Sequence, residues 1–130
     1  DPKMTEDEIG LVVVDSAVRL HQELGPGLLE SVYETILAQE LKRRGCAIVR
    51  QVSIPIQYHG IRFEEGFRAD LIVENKVLLE LKSVEQTTRA HAKQVLTYLK
   101  LTGMKLGYLL NFGEALMRDG ITRIINGDLE

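Results

Sequence analysis

Cysteine and long hydrophobic runs are scarce in this sequence, and each scarcity excludes a class of protein. The 130 residues include one cysteine, Cys46, which cannot form an internal disulfide, so a disulfide-stapled secreted module is excluded. No apolar run approaches the roughly 20 residues that a bilayer-crossing helix needs, and no signal peptide opens the chain. We therefore expect a cytoplasmic protein that has no membrane partner.

Low-complexity composition is also missing. The sequence is 45% hydrophobic and 27% charged, which excludes intrinsic disorder and collagen-like scaffolds. A chain of this length is expected to fold as one domain around one core. We assign that domain to residues 4–128, and we interpret residues 1–3 and 129–130 as vector-derived ends.

Acidic residues are absent from the stretch between Glu85 and Glu114, although the net charge of the whole chain is −3. A negative total excludes a globally basic nucleic-acid binder, but it permits one basic face on an acidic protein. A solvated helix face rich in lysine is the alternative interpretation. The basic residues of the stretch are Arg89, Lys93, Lys100 and Lys105.

Hydrophobic periodicity predicts three helices, over residues 6–24, about 28–44, and from Thr87 or Thr88 to near Gly103. Runs rich in β-branched residues, separated by turn signals, predict six strands. The resulting order is ααββββαββ, a mixed α/β or α+β domain in one piece. The strands run from Ala47 to the His59-Gly60 turn and over residues 61–63, 67–74, 77–83, 105–112 and 121–125.

Hydrophobic matching predicts how the two strands around Asn75 pair. A three-residue turn pairs Leu71 with Leu79, so that the apolar sets of both strands share one face. The same turn places Asp70 opposite Glu80. A two-residue turn would set apolar against polar side chains. Since a one-residue slip flips every side chain, burial favours the three-residue turn.

The predicted register gathers Asp70, Glu80 and Lys82 on one patch. Two carboxylates whose Cβ atoms are roughly 5 Å apart repel each other unless a cation lies between them, and hard oxygen ligands favour Mg²⁺ or Mn²⁺. Such a cation activates water, and a lysine beside it stabilises the negative charge of a phosphoryl transition state. A cross-strand ion pair on a solvated sheet face is the alternative.

Four short motifs occur in an informative order. They are G-x-x-E-x-x-Y at residues 27–33, R-A-D at 68–70, E-L-K at 80–82 and Q-x-x-x-Y at 94–98. With them the chain resembles the GxxExxY protein family of the PD-(D/E)XK nuclease superfamily, on its RecB-like branch, over about residues 10–125. The resemblance implies a restriction-endonuclease-like core, in which helices flank a central mixed β-sheet.

The resemblance also implies roles for the acidic and basic side chains of these motifs. Glu30 corresponds to the helix-borne catalytic acid of the superfamily. Asp70 and Glu80 correspond to its metal ligands, and Lys82 to its catalytic lysine. Ala69 occupies the position at which the superfamily signature has proline.

Further residues of the motifs complete the implied site. Gln94 and Tyr98 match an extra motif of RecB-type nucleases, in which such residues orient the site or the nucleic acid. Their spacing of four places both on one helix face, which His91 can share. Tyr33, which ends the first motif, is either part of the site or a packing residue with a solvated hydroxyl.

The sequence therefore predicts a Mg²⁺- or Mn²⁺-dependent nuclease that hydrolyses phosphodiester bonds of DNA, in preference to RNA. Arg89, Lys93 and Lys100 are the predicted phosphate contacts. The alternative is a catalytically silent module of the same fold that binds nucleic acid or a partner protein. A homodimer is compatible with either function, since many nucleases of this superfamily dimerise to cut two strands.

Overall fold

Three helices and five strands make up residues 3–129, the part of the chain that the computed structural model describes. Residues 1, 2 and 130, which belong to the ends predicted as vector-derived, lie outside the described residues. None of the helices in this part is long and apolar enough to cross a membrane. The elements are α1 (Glu6–Leu24), α2 (Glu30–Arg43), β1 (Ile48–Tyr58), β2 (Ile61–Val73), β3 (Val77–Lys82), α3 (Arg89–Thr102), β4 (Leu106–Asn111), a short 3-10 helix (Met117–Gly120) and β5 (Ile121–Ile125).

The strands form one mixed sheet in the order β1-β2-β3-β4-β5. Neighbouring strands are antiparallel except for β3 and β4, which are parallel and are connected through α3. Helices α1 and α2 pack on one face of the sheet, and α3 packs on the other. The predicted α+β class, with helices flanking a central mixed sheet, is confirmed.

Each face of the sheet has its own hydrophobic cluster. On the α1 and α2 side Leu37 belongs to the same cluster as Leu79, and on the α3 side Leu99 belongs to the same cluster as Leu78. Because β3 and β4 are covered on both sides, nearly all of their side chains are buried, without polar alternation. A carboxylate in the middle of β3, Glu80, is therefore exceptional.

The turn between β2 and β3 has the predicted three-residue form. Leu71 pairs with Leu79, as hydrophobic matching predicts. Glu74 and Asn75 adopt φ angles of +54° and +56°, in the left-handed region. Asparagine enters this region more readily than most residues, because its short polar side chain can form local hydrogen bonds. The register that brings Asp70 and Glu80 to the same level of the sheet is thus confirmed.

The prediction of four strands between α2 and α3 is wrong by one strand. Residues 61–63 and 67–74, predicted as separate strands, are joined in β2, so the observed order is ααβββαββ. β1 gives β2 an antiparallel partner along its whole length, and an irregularity in the pairing between Ile54 and Ile56 accommodates Glu64–Gly66. The polar Glu-Glu-Gly sequence therefore forms a bulge within a strand instead of ending it.

Candidate active site

The backbone pairing of β2 with β3 stops at Leu71 and Leu79. At the next position the side chains of the two acids replace the ladder. The backbone N–H of Leu81 donates to Asp70 Oδ2 (2.8 Å), and the backbone N–H of Asp70 donates to Glu80 Oε1 (3.2 Å). The strands thus fork at this level, and each carboxylate is held by a backbone amide of the opposite strand.

At the level of this fork, the alternate side chains of β2 change from one face of the sheet to the other. Leu71 and Val73 pack on the α1 and α2 side, whereas Phe67 and Ala69 pack on the α3 side. On a regular strand these four alternate residues would share one face. Across from the change, Gln51 on β1 has a φ angle of +50°. This conformation is uncommon for a residue other than glycine, and it marks a local break in the regular strand geometry.

Burial and a neighbouring charge change the protonation of Glu80. Its side chain is 7% exposed. Burial, and after it the negative charge of Asp70, raise the pKa of Glu80 to about 8. The positive charge of Lys82 acts in the opposite direction. Without a cation, Glu80 therefore keeps its proton to a higher pH than a solvent-exposed glutamate does.

Lys82 lies half-buried at the end of β3, beside this pair of acids. None of the ion pairs within residues 3–129 includes its ammonium group. Together with the burial of Glu80, this argues against the alternative of a cross-strand ion pair on a solvated face. The buried Asn111 on β4 fixes the chain just after Lys82, because its side chain donates to Val84 O (2.9 Å) and accepts from Val84 N (3.1 Å).

Two residues that sequence reasoning missed connect Asp70 to α2. Gln51 Nε2 donates to Glu34 Oε1 (2.7 Å) and to Asp70 Oδ1 (3.4 Å). Glu34 is 7% exposed and also accepts from Arg50 Nε (3.1 Å). A sequence signal exists for Glu34 alone, which precedes Leu37 by three residues and so belongs to the buried helix face. Nothing in the sequence pattern points to Gln51.

The first motif lies where α2 meets the end of β3. Glu30 is the exposed first residue of α2, and it lines a shallow surface pocket together with Ser83, which directly follows Lys82. The hydroxyl of Ser83 donates to the backbone carbonyl of Leu28. The structure thus places Glu30 beside Ser83, one residue beyond Lys82 in the chain.

Tyr33 is a buried packing residue that shapes the loop before Glu30. Its hydroxyl donates to Gly25 O (2.6 Å) and accepts from Leu28 N (3.1 Å). Its ring stacks on Phe112, with the ring centroids 4.5 Å apart. Of the two interpretations of Tyr33, the structure therefore supports the packing role, in which the hydroxyl closes the loop between α1 and α2.

Tyr98 lies close to the two acids on the α3 side of the sheet. Its ring stacks on Phe67, with centroids 3.7 Å apart. Burial, followed by the negative charges of Glu80 and Asp70, raises the pKa of Tyr98. The fold thus brings Asp70 of the R-A-D motif and Glu80 of the E-L-K motif close to Tyr98, the last residue of Q-x-x-x-Y.

The other polar residues predicted on this face of α3 are placed differently. Gln94 is exposed one turn before Tyr98. His91 belongs to the N-terminal cap of α3, where its Nδ1 accepts a hydrogen bond from the backbone N–H of Thr88 (3.1 Å). The His91 ring therefore stabilises the start of the helix.

The basic residues predicted to contact phosphates lie on another flank of α3. Arg89, Lys93 and Lys100 are exposed and follow one stripe of the helix. At about 100° per residue, this stripe lies roughly 160° around the helix axis from Tyr98. Their role as phosphate contacts stays a prediction, and their placement separates them from the carboxylates.

The carboxylate pair suits a divalent cation that keeps most of its ligands as water or substrate. Within residues 3–129, His, Cys, Asp and Glu do not gather in a metal-binding group of three or more, so Glu30 does not join Asp70 and Glu80 in such a group. Mg²⁺ in proteins is often held by only one or two carboxylates together with waters and phosphate oxygens. The raised pKa of Glu80 indicates a place where positive charge is favourable.

A mixed sheet between helices, with two carboxylates at forked strands and a lysine two residues further on, defines a nuclease-like α+β domain. The model of a family described as the PD-(D/E)XK nuclease superfamily matches residues 7–124, and the chain belongs to that superfamily. The resemblance is thereby confirmed at this level, whereas the GxxExxY family and the RecB-like branch stay predictions. Nucleases of this superfamily generally use divalent metal ions. No curated protein matches the chain in a sequence comparison.

Proposed function

We propose that the protein is a metal-dependent nuclease that hydrolyses phosphodiester bonds of DNA, with RNA as the alternative substrate. One observation carries the proposal: the buried carboxyl of Glu80 lies beside that of the half-buried Asp70 at the fork of β2 and β3, with Lys82 next to them and free of ion pairs within residues 3–129. A buried acid beside a second carboxylate destabilises a fold unless it is compensated. Such an arrangement is typical of active sites, in which burial and like charges shift pKa values.

In the proposed site Asp70 and Glu80 hold Mg²⁺ or Mn²⁺. When bound, the cation supplies an activated water and stabilises charge on the phosphate. The ammonium of Lys82 interacts with the negative charge that develops on the phosphoryl oxygens. The amide of Leu81, which donates to Asp70, holds that carboxylate in one orientation.

Glu30, Gln94 and Tyr98 surround this centre in the proposal. Glu30 contributes an acidic oxygen from the first turn of α2, and Gln94 and Tyr98 orient the nucleic acid from α3. Support comes from the position of Glu30 beside Ser83 and from the effect of both acids on the pKa of Tyr98.

The second candidate is a module of the same fold that binds nucleic acid or a partner protein without cutting. One observation favours it, the exposed basic stripe Arg89, Lys93 and Lys100 on the flank of α3 that is turned away from Tyr98. A homodimer and a cytoplasmic location remain predictions under both candidates.

Incubation with labelled single- and double-stranded DNA and RNA tests the first candidate, in Mg²⁺, in Mn²⁺ and in EDTA. We expect cleavage of at least one substrate that EDTA abolishes and that Lys82→Ala reduces by at least about 100-fold. Lys105→Ala is the matched control, because this exposed lysine lies at the opposite end of the parallel strand pair and should cut normally. Undiminished cleavage by Lys82→Ala, or a folded protein that cuts none of the substrates, would contradict the proposal.

A further inference from the structure

We propose that Gln51 and Glu34 are positioning residues, which together fix the carboxylate of Asp70 for metal binding. The inference rests on the proposed function, since it assigns these residues a part in it. Neither residue belongs to the four sequence motifs, and neither is expected to touch the substrate. Both act through Asp70.

The side-chain amide of Gln51 divides its two N–H groups between two acids. One donates to Glu34 Oε1 (2.7 Å), and the other makes a longer hydrogen bond to Asp70 Oδ1 (3.4 Å). The second oxygen of Asp70 accepts from Leu81 N (2.8 Å). Both oxygens of Asp70 are therefore held, one from β1 and one from β3. A carboxylate oxygen has two acceptor positions, so each oxygen keeps one for a cation.

Glu34 determines the orientation of this amide. An ionised carboxylate only accepts hydrogen bonds, so the amide nitrogen of Gln51, and not its oxygen, faces Glu34. Glu34 is itself fixed from the other side, because Arg50 Nε donates to its Oε2 (3.1 Å). The side chain of Arg50 also donates to Thr35 Oγ1 (2.9 Å). A continuous chain of hydrogen bonds thus connects helix α2 to Asp70.

The backbone of Gln51 supports a functional role. Its φ of +50° lies in the left-handed region, where every residue with a Cβ is strained and where glycine would fit without strain. Such conformations persist where the surroundings impose them, and they cluster at active sites. Here the conformation coincides with the level at which β2 changes its buried face. Glycine would fit this backbone conformation, but it has no side chain that could donate to Glu34 and Asp70.

Gln51→Gly separates the contribution of the side chain from that of the strained backbone. We expect a melting temperature equal to or above that of the wild type, together with Mn²⁺ binding that is weaker by about 10- to 100-fold in calorimetric titration. Gln57→Gly is the matched control, since Gln57 is an exposed residue of the same strand that pairs regularly with Arg62. It should lower the melting temperature and leave the Mn²⁺ affinity unchanged.

A metal-free measurement tests the same contacts independently. In ¹H–¹⁵N NMR spectra the side-chain amide of Gln51 should shift on Asp70→Asn and on Glu34→Gln, and the amide of Gln57 should shift on neither. A Gln51 amide that responds to neither substitution overturns the positioning role, whatever the metal titration shows.

The two proposals fail in different ways. If the folded wild type binds no Mn²⁺, the proposed function fails, and the NMR shifts alone decide whether Gln51 holds Asp70. If the wild type binds Mn²⁺ and Gln51→Gly binds it equally well, the positioning role is overturned while the proposed function stands.

Discussion

The two ends of the β2–β3 pair differ in what holds them together. At the turn, the backbone ladder joins Leu71 to Leu79, and both side chains are fully buried. One residue further, the ladder ends and the carboxylates of Asp70 and Glu80 take its place. Hydrophobic burial thus sets the register at one end, and the register then places the acids at the other. Stability and proposed chemistry reside on the same strands but in separate residues.

The largest effect that we expect from a substitution in the β2–β3 pair is a loss of cleavage at its carboxylate end. Asp70→Asn keeps an acceptor for the Leu81 amide but removes the charge, so we expect the rate to fall by about 1,000-fold, as the loss of several kcal/mol of metal-assisted stabilisation implies. The melting temperature should change little. Steady-state kinetics and thermal unfolding on the same preparation check both statements. A large loss of stability would show that the fork also holds the fold together.

Leu79→Ala tests whether the turn end of the β2–β3 pair contributes stability and not catalysis. Truncation of this fully buried side chain should lower the free energy of unfolding by about 2–5 kcal/mol, because the transfer term and the cavity both destabilise. Urea denaturation measures this quantity. Cleavage per folded molecule should stay near that of the wild type, and a large loss of activity in the folded fraction would contradict the proposed separation.

Glu80→Gln should stabilise the metal-free protein, with an effect that depends on pH. The pKa of Glu80 is about 8 in the fold, against 4.5 for an unperturbed glutamate side chain. Between these values the unfolded chain loses the proton that the folded chain keeps, so the stability of the wild type falls as the pH rises from 4.5 towards 8 and levels off above 8. A glutamine side chain does not titrate, so the Glu80→Gln variant does not lose stability in this way as the pH rises.

We therefore expect Glu80→Gln to exceed the wild type in stability by on the order of 4 kcal/mol at pH 8, and by much less at pH 5. Urea denaturation in EDTA at both pH values provides the measurement. An equal difference at the two pH values would show that burial does not raise the pKa of Glu80.

The smallest expected effect concerns Tyr98, at the edge of the fork. Tyr98→Phe keeps the stack on Phe67, so the free energy of unfolding should change by less than about 0.5 kcal/mol. Cleavage should fall by about 10-fold if the hydroxyl orients the nucleic acid. Tyr98→Ala, which also removes the stack, is the comparison that should lose stability as well. Full activity in Tyr98→Phe would restrict this residue to packing.

The register at Leu71 and Leu79 could be predicted from the sequence because burial permits only one alignment of two apolar sets. The start of α3 at Thr87 or Thr88 could be predicted for a similar reason, since the hydroxyl of Thr88 accepts a hydrogen bond from a backbone N–H within one helical turn. In each case the interaction is local, or it follows from a repeating pattern.

The contacts of Gln51 could not be predicted in this way. They require a left-handed residue inside a strand and a helix that approaches from a distant part of the chain. The continuous β2 was missed because Glu64–Gly66 has the composition of a loop, whereas the long partner strand keeps this segment in the sheet. Tertiary pairing thus overrode the local propensity in both places.

The irregular pairing of β1 with β2 between Ile54 and Ile56 also affects whether another chain can add to the edge of the sheet. β1 is an edge strand of 11 residues, and a long, flat edge is a template on which another chain can add as a further strand. Pro55 has no backbone N–H, and the bulge of β2 opposite Pro55 increases the local twist of the strand pair. The opposite edge, β5, has only five residues. Both edges are therefore poor templates, which opposes aggregation by strand addition.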